Sequence, residues 1–170
     1  GYLSSEEGKT WLCGLKRDCE NGITCVIETG ISDMKKMTEY RLENHIPLEE
    51  ARVTISKTLG EILKQLLEMG LEATFMIIGG DTLAGFITEM DCGEITIYRE
   101  LEQGTVLSSI QTEGKEQWII SKSGGFGDQE LLMEVEQLVK HRFLEGGRKH
   151  AGSIFAYNAG NCLQRPGSAG

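Results

Sequence analysis

The chain has 170 residues, of which 39% are hydrophobic and 25% are charged, and its formal net charge is −9. These values are typical of one globular domain with a substantial core. Because nucleic acids and anionic membranes are bound through basic surfaces, the acidic balance argues against both as partners, although a local cluster of backbone N–H groups can still hold a nucleotide phosphate.

Three elements are predicted before residue 70, after a polar start at 1–22 that shows no clear pattern. A short β-rich run occupies 23–28, and a polar helical stretch follows over about 33–44. Pro47 suits the first position of the clearest helix in the chain, whose apolar residues recur at helical spacing. Gly70 is a natural end for this helix.

The segment ATFMIIGGDTLAGFITEM, residues 73–90, predicts a strand, a glycine turn and a helix. The strand is an apolar run over 73–78, and two glycines, Gly79 and Gly80, end it. Asp81 or Thr82 can then cap a helix that continues to about residue 90. This arrangement is a common frame for holding a phosphate at a helix N-terminus.

The second half of the chain predicts three more strands and a final helix. Residues 94–101 alternate as a strand does, 106–110 form a short strand, and 118–120 form a buried one that runs into SKSGGFGD. The final helix carries apolar residues at helical spacing from 131 onward. Residues 146–170 are predicted to be a flexible, glycine-rich tail, which leaves 1–145 as the folded domain.

Strands that alternate with helices predict an α/β fold, a three-layer αβα arrangement with a largely parallel sheet. In such a sheet the two glycine loops, GGDT and SGGFG, would both follow the carboxyl ends of their strands. Ligands bind at that edge, so the two loops are expected to lie side by side and line one site with N–H donors. Lys122 is either an added charge for a phosphate or a solvated lysine at the end of a strand.

Several other sites are excluded by spacing. Gly8-Lys9-Thr10 lacks the earlier glycine and the preceding strand of a P-loop, and no strand is followed by the Gly-x-Gly-x-x-Gly of dinucleotide-binding folds. The five cysteines contain no Cys-x-x-Cys pair. Without a secretory signal or an apolar run of about 20 residues, we expect reduced thiols, no metal site and a cytoplasmic protein.

The segments IIGGDTLAG at 77–85 and SKSGGFGD at 121–128 together resemble the paired motifs of the four-carbon acid sugar kinase family. The resemblance covers roughly 50–140, including the long helix before GGDT and the strand EITIYREL. These kinases phosphorylate threonate-, erythronate- or oxo-tetronate-type acids with ATP. The resemblance implies that residues 1–145 are most of the C-terminal, nucleotide-binding domain of a two-domain kinase, whose N-terminal domain binds the sugar acid.

The same resemblance implies which residues bind ATP and Mg²⁺. Two loops would contact the phosphates: Gly79, Gly80, Asp81 and Thr82 in the first, and Gly124, Gly125, Phe126 and Gly127 in the second. The aspartate base of the family belongs to the N-terminal domain, so no catalytic residue is assigned to this chain. The family's nucleotide-contacting serine has no match within residues 1–20. The alternative is a non-catalytic, nucleotide-sensing or interaction domain of the same fold.

Overall fold

A computed structural model shows how these elements assemble. It describes residues 1–29, 34–112, 114–123, 133–135, 137 and 152–157.

The order of helices and strands follows the sequence-based prediction from residue 23 to residue 122. The elements are a 3-10 helix at Tyr2–Ser4, α1 (Glu6–Glu20), β1 (Cys25–Glu28), α2 (Met34–Glu43), α3 (Leu48–Glu68), β2 (Thr74–Ile78), α4 (Gly80–Glu89), β3 (Thr96–Glu102), β4 (Thr105–Thr112), β5 (Lys115–Lys122) and β6 (Ser153–Tyr157). The predicted final helix lies mostly outside the described residues, of which 133–135 and 137 are helical.

Helix α1 occupies the segment for which the sequence predicted no element. Ser5 is its N-cap, because the Ser5 hydroxyl oxygen accepts a hydrogen bond from the Gly8 N–H at 3.0 Å. Glu6 and Glu7 lie in the first turn, where negative charge is favourable next to the positive end of the helix dipole. The helix buries Leu12 in the core, so tertiary packing stabilises a segment that is otherwise polar.

The six strands form one mixed sheet in the order β1-β6-β2-β5-β4-β3. The first four strands in this order are parallel to one another, and β4 and β3 extend the sheet as an antiparallel pair. Helices cover both faces of the sheet. The predicted α/β class, with three αβα layers and a largely parallel sheet, is therefore confirmed.

The prediction of a flexible tail from residue 146 is wrong for 152–157. Residues Ser153–Tyr157 form β6, which lies between β1 and β2 and pairs with both of them. Gly152 leads into this strand, and its N–H donates to the Cys19 carbonyl at 2.6 Å. A short apolar strand between glycine-rich segments resembles a linker in composition, but here it provides the backbone groups that join two other strands.

The two faces of the sheet have separate hydrophobic cores. Helices α1, α3 and α4 pack on the first face, which carries Phe75 and Ile77 of β2. The opposite face carries Met76, together with Ile120 of β5, and packs against Val135. This division follows from the strand period of two, which sends neighbouring side chains to opposite faces.

Helices α3 and α4 pack with their backbones in close contact on the first face. A β-carbon added to Gly60 would lie 2.7 Å from the Gly85 carbonyl oxygen, and one added to Gly85 would lie 2.4 Å from the Ser56 carbonyl oxygen. Phe86 of α4 meets Phe75 of β2 edge to face, with ring centroids 6.0 Å apart. These contacts fix α4, and with it the turn that precedes α4, against the sheet.

Candidate functional site

The carboxyl ends of β2 and β5 lie next to each other in the sheet. Ile78, the last residue of β2, is in register with Lys122, the last residue of β5. The N–H of Gly79 donates to the Lys122 carbonyl oxygen at 2.9 Å and so extends the pairing by one bond. The strand ends that carry the two glycine loops are thus neighbours, as predicted. Residues 124–127 of the second loop lie outside the described residues.

Helical residues that follow these two neighbouring strands pack on opposite faces of the sheet. After β2 the chain enters α4, whose Phe86 packs on the first face with Phe75. After β5 it reaches the helical residues 133–135, and Val135 packs on the second face with Met76. When the helices after two adjacent parallel strands pack on opposite faces of the sheet, a crevice forms outside the carboxyl ends of the strands. Open α/β sheets bind ligands in this crevice.

Gly79 makes the turn from β2 into α4. Its φ of +99° lies in a region that residues with a side chain rarely adopt, so glycine is required at this position. Gly80 differs, because it is the first helical residue and is not among the glycines with positive φ. A β-carbon on Gly80 would meet no atom of the described chain within 4 Å. The described residues therefore leave the position of a Gly80 side chain open.

Neither predicted cap of α4 is its N-cap. Gly79 occupies that position, and as a glycine it provides no side-chain cap hydrogen bond. Asp81 and Thr82 lie inside the first turn instead, where Asp81 is exposed. The first N–H groups of a helix have no partner within the helix, and together with the helix dipole they favour an anion.

Thr82 adds an unpaired hydroxyl to this turn. Its side chain is fully buried, and its Oγ1 has no hydrogen-bond partner within the part of the chain that the structure describes. A buried hydroxyl without a partner costs about 1–3 kcal/mol, so such groups call for an explanation. A ligand oxygen at the start of α4 would provide one.

The start of β4 reaches the same edge of the sheet, which the sequence did not predict. Thr105 lies directly opposite Lys122, and the Ser123 N–H donates to the Gly104 carbonyl oxygen at 2.9 Å. Gly104 belongs to the two-residue turn that joins β3 to β4, and its own N–H donates to Glu100 Oε1 at 2.9 Å. The Lys122 ammonium donates to the Ser123 carbonyl oxygen at 3.3 Å. Antiparallel pairing alone brings Thr105 here, and no motif marks it.

The Cys19 thiol has a different role at the opposite edge of the sheet. Burial, followed by a hydrogen bond with the Cys25 thiol, raises the pKa of Cys19 to about 12, and its Sγ lies 4.0 Å from the Ser153 carbonyl oxygen. A thiol that holds its proton so firmly is a packing group and not a nucleophile. The cysteines of the described chain, Cys13, Cys19, Cys25 and Cys92, are all free.

Within the described ranges, no three His, Cys, Asp or Glu side chains lie close enough together to hold a metal ion. In the same residues, no helix has the length and apolar character needed to cross a membrane.

Comparison with known proteins identifies a family. A family model described as a nucleotide-binding C-terminal domain matches residues 5–132. Two crystal structures of a domain of unknown function (DUF1537) from Bordetella bronchiseptica, both domain-swapped dimers with bound citrate, are similar to this chain at 16% identity, with TM-scores of 0.48 and 0.47. The matches cover 78% and 74% of this chain, which spans only 37% and 36% of the length of those proteins. No curated protein matched the sequence.

Proposed function

Because the chain belongs to the family of nucleotide-binding C-terminal domains, we propose that it is the ATP-binding portion of a kinase for four-carbon acid sugars. The acceptor would be a threonate-, erythronate- or oxo-tetronate-type acid. The observation that carries this proposal is the hydrogen bond from the Gly79 N–H to the Lys122 carbonyl oxygen. It joins the carboxyl ends of β2 and β5, the two strands that precede the glycine loops. The kinase part of the proposal is supported by the segments IIGGDTLAG and SKSGGFGD, which resemble the paired motifs of four-carbon acid sugar kinases.

The first loop would bind phosphate through its backbone. In this proposal Gly79 turns the chain, the open space at Gly80 admits the phosphate, and the N–H groups of the first turn of α4 donate to its oxygens. Thr82 would satisfy its buried hydroxyl on the ligand, and Asp81, exposed at the same turn, would face the cation that accompanies the phosphates. Gly124, Gly125, Phe126 and Gly127 would form the second loop.

Phosphoryl transfer suits a site of this kind, because positioning and charge neutralisation provide most of the catalysis. Mg²⁺ offsets the phosphate charge when ATP is bound. The residues of this chain would hold and orient the nucleotide, and the base that takes the proton of the sugar hydroxyl would come from a separate sugar-acid domain. A cytoplasmic setting, in which ATP is available and thiols stay reduced, fits this role.

Titration calorimetry with ADP–Mg²⁺ tests nucleotide binding directly. We expect saturable binding to the purified chain. A chain that melts cooperatively but takes up no nucleotide at about millimolar concentration, equivalent to about −4 kcal/mol of binding free energy, would refute the proposal. The second expectation is that this chain alone, given ATP–Mg²⁺, does not phosphorylate threonate or erythronate. Rapid turnover of either acid would show that the base lies in this chain.

The alternative function is a nucleotide-sensing or interaction domain without catalysis. It predicts the same nucleotide binding but no transfer of phosphate to a sugar acid, even when the chain is joined to a sugar-acid-binding domain. Turnover by such a two-domain protein, measured as ADP release that depends on the sugar acid, separates the two functions.

A further inference from the structure

Thr105 and Lys122 form a directly opposed pair at the carboxyl edge of the sheet. They are partners in the antiparallel pairing of β4 with β5, so their side chains lie on the same face. That edge also carries Gly79, whose N–H is bonded to the Lys122 carbonyl oxygen. The pair therefore lies beside the phosphate site proposed above. Lys122 belongs to the SKSGGFGD motif, whereas Thr105 lies on β4, which neither glycine motif includes.

Among the described residues, the hydroxyl of Thr105 has no hydrogen-bond partner. The residue is fully buried, and its Oγ1 makes no hydrogen bond within the described part of the chain. The buried hydroxyls of Thr74 and Ser153 also have no hydrogen-bond partner among the described residues. These two residues begin β2 and β6, at the edge of the sheet opposite to the ends of β2 and β5. Thr105 differs from them because it lies opposite Lys122, at the edge of the sheet where β2 and β5 both end.

The ammonium of Lys122 has a weak partner. Its Nζ donates to the Ser123 carbonyl oxygen at 3.3 Å, and its side chain is half-buried against the end of the sheet. A neutral carbonyl oxygen satisfies a positive charge less well than an anionic oxygen does, because hydrogen bonds between two charged groups are shorter and stronger. Lys122 is the cross-strand neighbour of Thr105, so an anion bound by its ammonium would lie near the Thr105 hydroxyl.

We propose that Thr105 and Lys122 form a second phosphate-contacting pair, in which the ammonium and the hydroxyl both donate to oxygens of the nucleotide polyphosphate. This inference rests on the proposed nucleotide-binding function and extends it to β4. The start of α4 would hold the polyphosphate from the first face of the sheet, and the Thr105–Lys122 pair would hold it from the second face.

Thr105→Val is the main test, because valine keeps the shape of threonine and removes only the hydroxyl. Thr74→Val is the matched control, since Thr74 is also buried and also has no hydrogen-bond partner among the described residues, but lies at the far edge of the sheet. We expect Thr105→Val to weaken ADP–Mg²⁺ binding about tenfold, the effect of one hydrogen bond to a charged group, and Thr74→Val to leave it unchanged. Neither change should lower the melting temperature of the free protein, because each removes an unsatisfied hydroxyl.

Lys122→Met tests the charge while keeping the aliphatic stem. We expect it to weaken binding of ADP–Mg²⁺ and of tripolyphosphate, which probes the phosphate contacts alone, and to reduce the salt dependence of both. Because both side chains would contact the same phosphate group, the double variant should lose less affinity than the product of the two single losses.

The outcomes separate this inference from the function on which it rests. If the unaltered chain binds no ADP–Mg²⁺, the proposed function fails, and this inference fails with it. If the unaltered chain binds ADP–Mg²⁺ but Thr105→Val binds equally well, the nucleotide site stands and the assignment of Thr105 is wrong. Equal losses in Thr105→Val and Thr74→Val would also overturn the assignment, because the effect would then arise from core packing.

Discussion

Gly80→Val tests whether the backbone at the start of α4 approaches a phosphate. A β-carbon at this position meets no described atom within 4 Å, and Gly80 is not among the residues with positive φ. The substitution therefore adds neither a clash at the β-carbon nor backbone strain. Valine is slightly better than glycine inside a helix, by about 0.3 kcal/mol, so the melting temperature should change by no more than about 1–2 °C.

The effect on the ligand should be much larger. If a phosphate accepts hydrogen bonds from the first turn of α4, the branched side chain occupies space that the phosphate needs. Loss of one hydrogen bond to a charged group costs about 1.5–3 kcal/mol, which corresponds to roughly a 10- to 100-fold weaker affinity for ADP–Mg²⁺. Calorimetric titration measures this loss, and thermal melting of the same samples measures stability.

Gly14→Val is the matched control for this experiment. Gly14 lies inside α1, and a β-carbon there also meets no described atom within 4 Å. The affinity of Gly14→Val for ADP–Mg²⁺ should equal that of the unaltered chain. If the unaltered chain binds ADP–Mg²⁺ and the affinity of Gly80→Val is within about twofold of that value, no phosphate contacts the start of α4, because loss of one hydrogen bond would change the affinity far more. A fall of the Gly80→Val melting temperature by more than about 5 °C would contradict the open space at this position.

Three further predictions concern the fold. Deletion of 146–170 should abolish cooperative melting, since it removes the strand that joins β1 to β2; a truncated chain that melts as the full one does would contradict the sheet order. Gly85→Val should destabilise the chain by about 2–4 kcal/mol in urea unfolding, because its β-carbon would lie 2.4 Å from the Ser56 carbonyl oxygen, and unchanged stability would show that the two helices are farther apart. Because the pKa of Cys19 is raised to about 12 in the folded chain, the unfolded chain loses the thiol proton at lower pH, so the free energy of unfolding should fall as the pH rises from about 9 toward 12. Cys19→Ala should make this fall smaller. An equal dependence of stability on pH in Cys19→Ala would contradict the raised pKa.

Local sequence pattern predicted the order of elements well. The apolar run at 73–78 and the helical spacing after Pro47 depend on neighbours a few residues apart, so they are visible without any knowledge of the fold. The placement of both glycine-loop strand ends at one edge of the sheet also followed from the sequence, because parallel strands present their carboxyl ends at the same edge; that β2 and β5 are direct neighbours did not. Helix α1 was missed because its apolar positions are few and its stability comes from packing.

The exact residues of the turn depended on backbone geometry. Of the two glycines in GGDT, only Gly79 has the positive φ that glycine adopts readily, and the sequence does not distinguish the two. Asp81 and Thr82 are residue types that often cap helices, but the N-cap is Gly79, two residues before Asp81 and three before Thr82. Cap preferences constrain which residue types begin a helix but leave its first residue uncertain by one or two positions.

Two features of the fold are visible only in the tertiary structure: the role of residues 153–157 and the faces on which the helices pack. Whether residues 153–157 are a linker or a central strand depends on the partners β1 and β2, which lie more than a hundred and about eighty residues away along the chain. The faces on which Phe86, after β2, and Val135, after β5, pack are likewise decided by the tertiary structure. The sequence by itself determined which segments are strands and which carry glycine loops. The pairing of strands and the faces on which helices pack are set by contacts between residues far apart in the chain, and no local pattern encodes them.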